Sequence, residues 1–114
     1  MRRRTGAIGI FLLLALAGSS PAAEWFVATN GNDAADGASW ATAKQTIQAG
    51  VDAAGEGDVV WVNSGVYATG GRRVLSILPT NRVVIDKGIA VRSVNGPVWT
   101  VIQGARDPST TNGL

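Results

Sequence analysis

Histidine and cysteine are both absent from this chain, which removes Ser–His and Cys–His nucleophiles and the ordinary zinc ligand sets at the outset. No glycine-rich phosphate loop is present either. Whatever chemistry the chain does must come from carboxylates, amides, hydroxyls, cationic side chains and aromatic rings. Asn30, Asn32, Asp33 and Asp36, in a loop ending at Gly37, set oxygen atoms at the close spacing that Ca2+ requires. The loop departs from the EF-hand pattern, because Ala34 stands where a ligand is needed. Asn, Asp and Gly also dominate ordinary turns, where they tolerate left-handed backbone, and a turn is the preferred reading.

The other candidates meet similar objections. Asp86–Lys87 has the residue types of a lyase acid–base pair, but neighbours on a strand face opposite ways and do not converge on one substrate atom. A turn ending a strand is the better reading. Glu56 and Asp58 flank Gly57 and read as solvated turn carboxylates. Arg72–Arg73 would suit an acidic polysaccharide, but a solvated loop is the better reading. Of Trp25, Trp40, Trp61 and Trp99, most are expected to pack, given the area each buries. Trp61 is the exception, since alternation turns it outward if Val60 and Val62 face in. No catalytic, cofactor-binding or metal-ligating residue is assigned on these grounds.

The elements that must position these residues begin after an export signal. Arg2, Arg3 and Arg4 precede the apolar run Ala7–Ala17, interrupted only by Gly9, and the small residues Ser20 and Ala22 place cleavage after Ala22. The run falls well short of the roughly 20 residues that span a bilayer, so no membrane span is expected after cleavage. The full chain carries 10 Lys and Arg against 8 Asp and Glu. Loss of the three arginines brings the mature net charge to about −1, which removes the case for nucleic-acid binding. No oligomer is predicted.

Beyond residue 22, short β-branched runs alternate with glycine-containing turns, which predicts an all-β chain with many turns. Strands are predicted at Trp25–Ala28, Val59–Val62, Val66–Tyr67, Arg82–Ile85, Ile89–Val91 and Thr100–Ile102. Thr46 is a predicted helix N-cap, or alternatively Thr42 with Gln45 as a capping box. Ile47, Gly50, Val51 and Ala54 then form one apolar stripe, and Gly55 stops the helix. Gly50 costs about 1 kcal/mol against Ala in a helix interior, which makes sense if the helix lies close to another backbone. A faint repeat at an offset of 29 aligns Val60 and Val62 with Ile89 and Val91, and Ser64 with Ser93.

The order of short motifs along the chain is more specific. Trp25-Phe26-Val27 leads to Gly31-Asn32-Asp33, then Trp40-Ala41-Thr42, Thr46-Ile47-Gln48 and Val51-Asp52-Ala53-Ala54. Gly57-Asp58-Val59-Val60-Trp61-Val62, Gly65-Val66-Tyr67, Val91-Arg92-Ser93 and Thr100-Val101-Ile102-Gln103-Gly104 follow. This resembles the N-terminal segment of secreted right-handed parallel β-helix proteins of the pectin-lyase-like superfamily. The resemblance implies an N-terminal capping α-helix and the first coil of a solenoid over residues 23–104, with an open loop at 105–114 where a longer solenoid is truncated. It further implies a secreted or cell-surface protein with an adhesin-like binding or structural role towards polysaccharide or cell-surface components. Its alternative is the N-terminal part of a polysaccharide lyase or glycoside hydrolase, with Ca2+ in the parent protein and an active site beyond residue 114.

Overall fold

The computed structural model describes residues 21–105. The predicted export signal, apart from Pro21 and Ala22, and the predicted loop beyond residue 105 lie outside the described residues. Strand β1, Glu24–Val27, is followed by a single 3-10 turn at Trp40–Thr42 and by helix α1, Ile47–Ala53. Strands β2, Val59–Val62, and β3, Gly65–Tyr67, come next, and β4, Ala90–Ser93, and β5, Thr100–Ile102, complete the order. Thr46 caps α1 as its residue type dictates: extended backbone, with its side-chain oxygen accepting from the Ala49 N–H. The alternative start is not used, since Thr42 closes the 3-10 turn instead.

Among the described residues the five strands pair in parallel. One sheet has the order β1-β2-β4 and the other pairs β3 with β5. Alternation sends Val27, Val60 and Val62 inward, where they meet Ile47, Val51 and Ala54 of the helix segment and Tyr67 of β3. Trp25, Val83, Ile89 and Val91 pack around this cluster half-buried. Gly50 allows the approach of helix to sheet. A Cβ built there would lie 2.5 Å from Val27 Cγ2 and 3.0 Å from Val60 Cγ1, so the close neighbours are strand side chains rather than backbone. Overpacking of that kind costs about 1–3 kcal/mol, enough to outweigh the helix propensity Ala would add.

The structure corrects the fold class that the resemblance implied. Among the described residues the chain forms two small parallel sheets and one helix. Neither an all-β fold nor the stacked coils of a right-handed parallel β-helix with a capping helix are formed. Two local expectations fail as well. Arg82–Ile85 is not a strand, and within it the buried side chain of Gln48 takes the backbone groups of Val84: Val84 N–H donates to Gln48 Oε1 at 2.7 Å, and Gln48 Nε2 donates to Val84 O at 3.1 Å. The offset of 29 is not realised either. Val60 pairs with Val91 and Val62 with Ser93, a separation of 31. Both offsets keep the same faces inward, since side chains alternate with period 2. The turn contacts decide between them: Gly57 N–H donates to Gly88 O at 2.8 Å and Ala90 N–H to Asp58 O at 3.0 Å.

Candidate functional site

Three of the four side chains that offered Ca2+ ligands, those of Asn32, Asp33 and Asp36, are already engaged by the protein, while Asn30 is exposed. Asn32 Oδ1 accepts from the Ala34 N–H and Asp36 Oδ1 from the Ala38 N–H, each at 2.9 Å, as turn-forming side chains do. These bonds hold the Asp36 carboxyl below its ordinary range, the Thr42 hydroxyl contributing most and the Ala38 amide next. Asp33 reaches across to the helix entry, accepting from Gln45 N–H and Thr46 N–H at 2.8 Å and from Thr46 Oγ1 at 2.8 Å. The loop also holds a cation of its own. Lys44 Nζ donates to Ala35 O at 2.6 Å and Asp33 O at 3.0 Å, so its ammonium takes carbonyl oxygens of the kind a metal would need. Among the described residues no group of three or more His, Cys, Asp or Glu is arranged to hold a metal.

The charged pairs have separate positions. Asp86 forms an ion pair with Arg72 at 2.9 Å, while Lys87 Nζ turns to Ala54 O at 2.6 Å and neutralises the C-terminal end of α1. Glu56 accepts from the Gly88 N–H, and Asp58 from Gly55 N–H, Ala23 N–H and the Trp25 indole. Arg73 donates to Ser76 O within a loop bridged at Arg72 and Asn81. The loop between them exposes Val74, Leu75, Ile77 and Leu78, a stretch whose sequence carries no clear periodicity.

The tryptophans behave differently from the expectation that most would pack. Trp25 lies against the core, but Trp40 and Trp99 are 44% and 66% exposed. Trp61 faces outward, as the inward positions of Val60 and Val62 require. Strand register then builds a surface that no single motif announces. Phe26 of β1 is the Cα partner of Trp61, and Trp61 is the partner of Arg92 on β4. Trp40 extends the row beyond β1, its ring edge-on to Phe26 with centroids 4.8 Å apart. Glu24, one inward residue before Phe26, accepts from the Trp61 indole N–H at 3.0 Å and so fixes the ring's setting.

The outer face of the three-stranded sheet thus carries Trp40, Phe26, Trp61 and Arg92 in one line, with Glu24 beside it. Adjacent strands stand about 4.8 Å apart, so the part of the line from β1 to β4 spans roughly 10 Å. Arg92 is exposed and has no hydrogen-bond or ion-pair partner among the described residues, which leaves its planar fork of donors directed to solvent. Of these residues, sequence reasoning singled out Trp61 as outward-facing. Phe26 lies within a predicted strand, but Glu24 and Arg92 fall just outside the predicted strands, and the alignment of all three depends on registers that the sequence leaves open. Comparison of the chain with protein-family models, curated proteins and solved structures finds no match.

Proposed function

We propose that this chain is an exported binding module that takes a carbohydrate on the outer face of its three-stranded sheet, and performs no catalysis itself. The observation that carries the reading is the line Trp40–Phe26–Trp61–Arg92. Sugar rings present an apolar C–H face that stacks on an aromatic ring, and hydroxyls that bond to planar polar groups. An outward-facing aromatic row, half-buried at Phe26 and Trp61 and exposed at Trp40, rimmed by a carboxylate and a guanidinium, supplies both. The basic n-region and short apolar run at the N-terminus support export to a secreted or cell-surface location. No helix among the described residues is long and apolar enough to cross a membrane.

Binding of plant and bacterial cell-wall polysaccharides to the exported protein, followed by affinity electrophoresis, tests the proposal. Trp61→Ala is expected to weaken retardation by a retained polysaccharide at least roughly tenfold, as loss of a central aromatic anchor does. Trp99→Ala, remote from the line, leaves it unchanged. Equal retardation of wild type and Trp61→Ala, with both folded, would remove the assignment.

A further inference from the structure

The approach to β1 holds a contact that sugar binding does not use. The backbone nitrogen of Ala23 donates to Asp58 Oδ1 at 2.9 Å, and the Ala23 carbonyl accepts from Val59 N–H at 3.0 Å. Pro21 and Ala22 are exposed and make no hydrogen bond among the described residues, so Ala23 is the first residue tied to the sheet. Asp58 Oδ2 is already engaged by the Trp25 indole at 3.0 Å and the Gly55 N–H at 2.8 Å, which leaves Oδ1 to Ala23. The first anchored residue is also the one immediately after the small-residue cleavage signal Ser20-Pro21-Ala22.

We propose that cleavage between Ala22 and Ala23 converts this amide donor into an α-ammonium that pairs with the Asp58 carboxylate, so that processing fastens the new chain start to the sheet. The proposal rests on the export reading above. In the step itself, a signal-cleaving protease adds water across the Ala22–Ala23 peptide bond. The departing segment keeps a carboxylate, and Ala23 becomes an amine that takes up a proton. The nitrogen need not move, because its acceptor is already in place at hydrogen-bond distance. Before cleavage the pair is a neutral donor on a carboxylate; afterwards it is charge-assisted on both sides. Other charged groups around it are Lys87, whose positive charge also favours ionised Asp58, Glu56 in the same turn, and Glu24, which is occupied by Trp61.

The consequence is an alkaline pH dependence that only the processed chain has, added to an acid one that both forms share. Asp58 is held below its ordinary 3.8, chiefly by the Trp25 indole and then by the Gly55 and Ala23 amides. Its stabilisation is therefore present above that value and lost as pH falls through the lower folded value. The α-amine is shifted the other way. Pairing raises it above its ordinary range of about 7.7–8.0, so its contribution is full below that range and lost as pH rises through the raised value.

Expression of the full chain, recovery of the exported form, N-terminal sequencing and an NMR titration of the Ala23 methyl resonance test this. The expected chain start is Ala23, and its amine is expected to titrate about one unit above the ordinary range. In Asp58→Asn the amine returns to that range. A start at another residue of the exported protein would overturn the ion pair alone, whereas an intact Met1 terminus would overturn the export reading with it. A start at Ala23 with an amine titrating in the ordinary range would overturn the ion pair alone.

Discussion

Val51→Asp is expected to lower unfolding free energy by at least about 3 kcal/mol, measured by denaturant titration of the exported protein. Val51 is fully buried, its side chain enclosed by the β1–β2 face, the rest of the helix stripe and Tyr67. None of those neighbours carries a cation, so an introduced carboxylate must be desolvated without a partner or be buried protonated. Either route costs several kcal/mol, a large share of the 5–15 kcal/mol that holds a typical domain together. Val66→Asp serves as the comparison. Val66 sits on β3 but is 54% exposed, and the same change there should cost less than about 1 kcal/mol. Similar losses at both positions would show that the helix stripe is not a core face.

Gln48→Leu has the second-largest expected effect, a loss of about 2–4 kcal/mol. Gln48 is buried to 4% exposure on the helix face that meets residues 82–85, and its amide does the work of a missing strand. Its oxygen satisfies Val84 N–H, and its nitrogen serves Val84 O and Asp52 Oδ1 at 2.8 Å. Leucine fills similar space but orphans the donor and acceptor of Val84, and each unsatisfied group costs about 1–3 kcal/mol. Gln48→Glu separates hydrogen bonding from packing. A carboxylate still accepts from Val84 N–H, but it cannot donate to Val84 O, and it meets Asp52 of like charge. It should be destabilised near neutral pH and partly recover on acidification, when a protonated carboxyl regains a donor. Wild-type stability in Gln48→Leu would mean that the segment is held by something other than this amide.

These two positions show where sequence reasoning succeeds and where it stops. The helix is local: Thr46 caps it, Ile47 and Val51 lie one turn apart on its buried side, and nothing distant must be known to place them. The runs at β1, β2, β3 and β5 announce themselves for the same reason, because β-branched and aromatic residues fall between turn residues. Arg82–Ile85 has the same composition and yet is not a strand. Its backbone partner is a side chain 36 residues away, on a helix, and composition does not encode which backbone groups a distant glutamine will take. The offset between β2 and β4 failed in a related way. Registers of 29 and 31 are equivalent to the hydrophobic pattern, and the choice is made by turn bonds around Gly57 and Gly88.

The candidate site is split along the same line. That Trp61 faces out follows from Val60 and Val62 facing in. That it stands between Phe26 and Arg92 follows only from parallel pairing on both sides. The oxygen-rich loop was the most conspicuous chemical feature in the sequence, and the structure gives it a structural task. Lys44 fills its carbonyls, and Asp33 ties it to the start of the helix. A lysine ammonium at that place could not be foreseen from spacing, since Lys44 follows the loop by several residues and reaches back along its own flexible stem.

The most direct measurement of the proposed binding face is an NMR titration of the indole N–H and arginine Nε–H resonances with the polysaccharide retained in affinity electrophoresis. The Trp61 and Trp40 indoles and Arg92 should shift together with a single dissociation constant, while the Trp25 indole, held by Asp58 beside the core, should not move. Shifts confined to Trp99 or to the Arg72–Arg73 loop, with Trp61 and Arg92 unmoved, would contradict the assignment of this face.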